Sequence, residues 1–315
     1  MTMPASTLAT FQAIGNREDL TNMIYRIAPT ATPFVSGVER EKATATKHEW
    51  QTQDLASAAS NAQLEGDDPG TNATTVTVRL SNVTQISYKV ARVSGTQQAV
   101  QHAGRSNELA YQAMLKGLEL KRDMEVVCTA NQAPVTGDTT TARQLAAILS
   151  WIKTNTSKGA TGADPGTSGT NSRTDGTARA FTEAQLKTVL SAVWVQGGMP
   201  DTIMVGAFNK QVFSTFTGRA SPIENTKAKK ITASVDAYES DFGTLKVVAD
   251  RFQRATDCFV LEMDKWALAF LNGRNMIQIP LAKTGDSDRR QVLAEYTLVS
   301  RNEKASGLVA DLTTS

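Results

Sequence analysis

Two histidines, His48 and His102, are the only side chains of this 315-residue chain that ordinarily titrate near neutral pH, so acid–base catalysis would have to start from them. Neither lies in a recognisable motif with a nucleophile or a carboxylate. The nucleophile elbow G-x-S-x-G, the zinc-protease H-E-x-x-H and the dinucleotide fingerprint are all absent. Cys128 and Cys258 each stand alone in an apolar setting, with no C-x-x-C spacing, so neither a zinc site nor a disulfide framework is implied. Both read as buried small hydrophobes. Glu65, Asp67 and Asp68 could meet a cation, but they lack the Asp-x-Asp-x-Asp-Gly spacing of a calcium loop and fit a solvated or salt-bridging tip better. Asp286 and Asp288, in AKTGDSDRR, read as turn residues. The glycines of residues 154 to 179 could in principle cradle a phosphate. No G-x-x-x-x-G-K-[ST] accompanies them and no buried strand precedes them. The reading is therefore a protein without a catalytic site, cofactor or metal; residues converging from distant sequence leave an unrecognised hydrolase as the alternative.

Composition narrows the classes further. Apolar residues make up 40% and charged residues 20%, which is ordinary for a globular protein, and the length suits about two units of roughly 150 residues. The 33 basic and 31 acidic side chains leave a net charge of +2, far from the basic excess of a dedicated nucleic-acid binder. The densest basic run, Lys227, Lys229 and Lys230, is short and reads as a solvated loop. The first residues show no basic and apolar signal-peptide regions, and no run approaches the ~20 apolar residues of a membrane span. The N-x-S/T triplets at Asn72, Asn82 and Asn155 then read as chance matches, and the expected setting is a cytoplasm.

The elements come in a distinctive order. Residues 1–45 carry no sustained period; Pro29 and Pro33 block regular hydrogen bonding, yet Ile24, Tyr25, Ile27, Phe34 and Val35 need a surface to rest on. Residues 46–95 read as two extended stretches around a polar tip at Gly66, Pro69 and Gly70, with Val76, Val78 and Leu80, then Ile86, Tyr88 and Val90, alternating onto one face. Such a thin ribbon needs an outside surface to pack on. Ser106 or Asn107 caps a long amphipathic helix whose stripe is Leu109, Ala113, Leu120, Met124 and Val127. Residues 154–179, nearly all Thr, Gly, Ser, Asn and Ala, predict an exposed, mobile loop. A capping box at Thr182 and Gln185 opens a helix with the stripe Leu186, Val189, Leu190, Val193 and Trp194, stopped by Gly197 and Gly198. TIMVG, a second helix through Val212, Phe213 and Phe216, and the strands GTLKVVAD, DCFVLEM, KWALAFL and MIQIPLA complete a compact α+β unit. The tail alternates as a strand and finishes as a hairpin after Gly307.

This order, with the phrases TNMIYRIAPTATPF, NELAYQ, GLELKRDME, PDTIMVGAFNKQVFS, DFGTLKVV and AEYTLVSRNEKASGLVADL, resembles the major head proteins of tailed bacteriophages, which have the Hong Kong ninety-seven fold. The resemblance spans nearly the whole chain. It implies an α+β capsid fold with an N-terminal arm at 1–45, an E-loop at 46–95, the spine helix and first part of the P-domain at 96–142, an A-domain at 143–280 and returning P-domain strands at 281–315. It further implies hexamers and pentamers that close an icosahedral head around double-stranded DNA, in a virion assembled in a bacterial cytoplasm. The implied partners are further copies of the chain, a portal, and scaffolding or decoration proteins, with non-specific DNA contact and no membrane. Inter-subunit contact is expected at Phe34, Val35, Trp50, Glu65, Asp67, Asp68, Val78 and Val90. An encapsulin-like nanocompartment, which shares the fold, is the alternative shell. No long charged helical extension precedes the arm, so a separate scaffold, or none, is implied.

Overall fold

Alternating and continuous apolar runs give this chain two large sheets and a separate two-stranded ribbon, and where a run is apolar on both sides it takes a central place. The computed structural model describes residues 29–68, 70–102, 104–216 and 237–315. The arm residues Ile24, Tyr25 and Ile27 and the basic run Lys227, Lys229 and Lys230 lie outside the described residues. Helix α1 (Pro33–Gly37) leads into β1 (Glu39–Ala43) and β2 (Lys47–Thr52); an extended segment then returns through β3 (Val78–Val83) and β4 (Gln85–Ser94). There follow α2 (Gly95–Ala99), the long α3 (Glu108–Cys128), α4 (Ile148–Trp151), β5 (Thr156–Ser157), α5 (Glu183–Val195), β6 (Thr202–Val205) and α6 (Ala207–Phe213). The remainder is mostly strand: β7 (Ala237–Ser240), β8 (Gly243–Ala249), β9 (Cys258–Leu261), β10 (Trp266–Leu271), β11 (Ile277–Leu281), β12 (Ser287–Ser300) and β13 (Gly307–Val309).

The first sheet is built on β12, a 14-residue strand. Along one edge it pairs with β4 from Ser287↔Ser94 to Tyr296↔Gln85; along the other it pairs with β11 and then β10, and β1 adds to β10 in parallel. Asn107 caps α3 by accepting from the Ala110 amide, and the helix lays Ala113, Leu120, Met124 and Cys128 inward. Lys89 of β4 pairs with Asp123 of α3 at 2.7 Å, holding helix and sheet together at their margin. The second sheet has the order β5-β13-β9-β6-β8-β7. The capping box at Thr182 and Gln185 is present, and α5 buries Leu186, Val189, Leu190 and Val193 in a cluster with Val205, Cys258, Val260 and Val309.

Three expectations change here. KWALAFL and MIQIPLA, assigned to the unit ending at residue 280, are β10 and β11 of the first sheet, whereas the terminal strand β13 joins the second. The division at 280 therefore fails: the chain crosses between sheets at β9–β10 and again at β12–β13. Likewise β4 leaves the ribbon expected over 46–95 and becomes part of the first sheet, so the ribbon proper is β2 with β3. Periodicity identifies a strand but carries no information about which sheet receives it.

The third change concerns residues 154–179, which are tied down rather than loose. Asp311, at a left-handed φ of 60°, accepts from the amides of Gly159 and Gly176, both at 2.9 Å. The wholly buried Arg173 pairs with Asp311 at 3.2 Å and Asp257 at 3.7 Å. Burial alone would push the Asp311 carboxyl up, but those amides and Arg173 hold it below the usual carboxylate range. Gly169, at φ 75°, lies against Trp151 so closely that an added Cβ would come within 2.4 Å of the indole. These glycines serve close packing. A composition argument counts apolar side-chain area and so overlooks a segment ordered by backbone and ionic bonds.

Two outcomes follow from this core. Replacing Asp311 by Ala removes one partner of a buried ion pair, a loss of about 3–5 kcal/mol. Limited trypsin digestion read by mass spectrometry should then cut at Arg173 in Asp311→Ala while sparing it in the parent; equal cutting in both would contradict the clamp. Phe34 is fully buried in the core beside Trp266, with ring centroids 6.4 Å apart. Phe34→Ala should accordingly cost about 3–5 kcal/mol in a denaturant melt of the subunit, and an unchanged midpoint would show that residue to be outside the core.

Candidate assembly surface

The β2–β3 ribbon runs in register from Lys47↔Val83 to Thr52↔Val78. Its base is fixed by polar side chains buried against the first sheet. Asn82 donates to the carbonyls of Leu298 at 2.7 Å and Ala146 at 3.1 Å and accepts from the Ala146 amide at 2.8 Å. Thr84, just past β3, donates to Glu295 at 2.9 Å. Glu295 itself is buried between Arg143 and Arg274, each at 2.7 Å, so two cations compensate one carboxylate at the root of the ribbon. In the sequence Asn82 and Thr84 stand only as a chance N-x-T triplet, with no sign of this cluster, because Thr84 and Glu295 are 211 residues apart.

Beyond Thr52 and Val78 the chain projects without cover. The Gln53 side chain donates to the Thr75 carbonyl at 2.9 Å, and Lys304 reaches Asp54 at 2.9 Å, but Leu55, Leu64 and Val76 stay exposed. Glu65, Asp67 and Asp68 are exposed at the tip, where Gly66 adopts a φ of 84° and the Asp68 amide donates to Asp67. A second uncovered face belongs to β4. Ala91 and Val93 point to the helix side and are buried, whereas Ile86, Tyr88 and Val90 point away and are exposed. The register puts Tyr88 opposite Leu293, but Leu293 is buried, so the uncovered strip does not continue onto β12 there.

The expected contact residues therefore divide. Val78 (57% exposed) and Val90 (37%) are accessible, but they lie on different sheets and do not form one ribbon face. Glu65, Asp67 and Asp68 are accessible at the tip. Phe34 and Val35 are not available to a neighbour: both are buried in their own subunit, because α1 folds onto α3. Trp50 is also engaged internally, its indole N–H donating to the Ser300 carbonyl at 2.9 Å and its ring packed on Trp151 at 5.4 Å. Trp194, expected in the buried stripe of α5, is 56% exposed and stacks on Phe242, with Val195 and Met199 exposed nearby. Sitting eight residues after Leu186, it falls at the margin of the stripe, a hint that strict spacing supplied and residue type concealed.

Both thiols are buried and pushed far up by that burial, away from the reactive thiolate. Among the described residues no group of three or more His, Cys, Asp or Glu is placed to hold a metal ion, and no helix is long and apolar enough to cross a membrane.

Comparison with known proteins bears on the fold and the family. The family model described as SU10 major capsid protein matches residues 4–313. A major capsid protein of Escherichia phage Phieco32 is 29% identical over 336 residues, covering 94% of each chain. Among solved structures, a Gordonia phage Cozz chain superposes with a TM-score of 0.64 at 9% identity, covering 99% of this chain and 98% of that one. A chain of the Cyanophage A-1(L) capsid asymmetric unit gives 0.62 at 13% identity, covering 98% and 99%. These likenesses establish the Hong Kong ninety-seven type of fold, which the sequence resemblance had implied. A family match over almost the full length, on a fold that leaves apolar ribbon and sheet faces open, places the chain in the SU10 major capsid protein family, the structural shell subunits of bacteriophages.

Proposed function

We propose that the chain assembles with copies of itself into hexamers and pentamers that close an icosahedral head around double-stranded DNA, in the cytoplasm of a bacterial host, and that it carries no enzymatic activity. The observation that carries this reading is the projecting ribbon, with Leu55, Val76 and Val78 exposed although its base is firmly anchored. A ribbon held at one end and apolar at the other serves as a clasp for a neighbour. In a cyclic capsomer such a contact is heterologous, one patch meeting a different patch on the next copy. The face of Ile86, Tyr88 and Val90 is the candidate receiving surface, and the tip residues Glu65, Asp67 and Asp68 would make polar contacts at the far end. A portal, scaffolding or decoration proteins and non-specific DNA contact complete the proposed partners; a net charge of +2 suits a container that does not grip its genome tightly.

Many equal weak contacts make assembly sensitive to a change that hardly touches the subunit. Val78→Asp adds a charge at an exposed position, so the subunit's own stability should move by no more than about 0.5 kcal/mol. At an assembled contact the same carboxylate would be desolvated, at a cost of several kcal/mol per copy. Thermal melts should match the parent while electron microscopy and light scattering show capsomers or free subunits in place of shells. Val90→Asp tests the β4 face separately. Normal shell yield from both variants would remove the clasp reading.

A further inference from the structure

Glu125 and Asp250 are two buried carboxyls that meet where three parts of the subunit join. Glu125, on α3, is fully buried, and its two oxygens accept from the amides of Phe34 and Val35, each at 2.7 Å. It thereby caps α1 from another element, since Thr32 at the start of α1 makes no side-chain cap of its own. Asp250 follows β8 at the edge of the second sheet's buried region and is 2% exposed. Its Oδ1 accepts from the Phe252 amide at 2.9 Å, its Oδ2 is buried without a donor, and the carboxyl is near enough for its charge to act on Glu125.

Among the described residues the surroundings supply no neutralising cation. Lys121, one turn earlier on α3, is committed to the Ser36 hydroxyl at 2.8 Å on the exposed side. Lys246 of β8 and Arg251 beside Asp250 are both exposed, and neither forms an ion pair with the two carboxyls. Cys128, one turn further on α3, and Tyr296 of β12 are buried, with their protonated forms favoured. Two adjacent buried carboxylates without a cation cannot both stay ionised. A proton on one of them gives the unmatched Asp250 oxygen a hydrogen-bond partner.

We propose that Glu125 and Asp250 share one proton and form a pH-operated latch: with the proton in place, α1, α3 and the end of β8 are held together, and its loss drives the carboxyls apart and releases α1. The latch belongs to the single subunit and does not depend on the assembly reading. Burial, the largest influence, pushes Glu125 up to about 8, with the charge of Asp250 adding to it and the Phe34 and Val35 amides pulling the other way. Asp250 is raised as well, first by burial. Once the latch opens, both carboxyls are hydrated and ionise near the ordinary ~4. Closing therefore takes up a proton between about pH 4.5 and about pH 8. The stabilisation is full at the acid end of that range, falls as pH rises, and is gone above the upper value.

Hydrogen exchange on the full chain reads this directly. Protection of the Phe34 and Val35 amides, corrected for intrinsic base-catalysed exchange, should fall about 100-fold between pH 6 and pH 8, because one proton gives about tenfold per pH unit. Asp250→Asn, whose amide can donate to an ionised Glu125 without a proton, should change less than about threefold over the same range. Should that variant misfold, infrared spectra of the parent at pH 7 provide an independent reading. They should show the carbonyl stretch of a buried protonated carboxyl, and Glu125→Gln should remove or shift it. Protection in the parent that does not vary with pH, an equal fall in Asp250→Asn, or a parent without a protonated-carboxyl band would each overturn the latch.

Discussion

A long strand with partners on both edges must satisfy a full row of amides and carbonyls on each side, and the 14-residue β12 is paired along most of both. β4 takes one edge, while β11 and β10 share the other in succession. Most of the fold is attached to that ladder. α3 covers β4 and β12, burying Leu120, Met124 and Cys128 beside Tyr296 and Ala294. β1 extends the sheet from β10, and the ribbon is rooted where Asn82 binds the Leu298 carbonyl of the same strand. Buried Glu295, held by Arg143, Arg274 and Thr84, lies on β12 as well, so the charged anchor of the ribbon and the central ladder are one structure.

The two large sheets cannot separate easily, because the chain crosses between them three times, from β4 to β5, from β9 to β10 and from β12 to β13. β9 and β10 are joined by a short turn over Met263–Lys265, and β12 passes to β13 through Glu303–Ala305. The indole of Trp266 donates to Ser306 at 2.9 Å, tying the start of β10 to the end of the β12–β13 crossing. β13 then completes the second sheet, and Asp311 beyond it gathers the 154–179 segment around Arg173. The C-terminal residues are thus structural keystones for a segment that precedes them by about 150 positions, consistent with the separations of 152 and 135 residues in the amide bonds to Asp311. Among the described residues, the large apolar side chains open to solvent gather on the ribbon, the outer face of β4 and the Trp194–Phe242 patch, with Val100, Met114 and Val126 exposed singly at the end of α2 and along α3.

Local elements were readable in the sequence because their causes are local. The Asn107 cap, the Thr182–Gln185 box and the buried stripe of α3 follow from residues within a turn or two of each other. The overall family was readable from specific phrases such as DFGTLKVV and RNEKASG, and the family match agrees with it. Misreadings arose wherever partners are distant. The apolar pair Phe34 and Val35 looked homeless in an irregular arm, but their cover comes from α3, whose Glu125 lies 91 and 90 residues away. Residues 154–179 looked loose for the same reason. The candidate contact surface was half legible: alternation identified Val78 and Val90 as surface residues, yet could not reveal that they belong to different sheets.

The central claim is that the subunit completes its own core and leaves its ribbon to be completed by another copy. An electron cryomicroscopy map of the assembled particle tests it most directly. Leu55, Val76 and Val78 should be covered by a neighbouring copy, while Phe34 and Trp50 remain packed within their own subunit as they are here. A particle in which the ribbon residues still face solvent, or in which Phe34 leaves its own core to insert into a neighbour, would contradict the account.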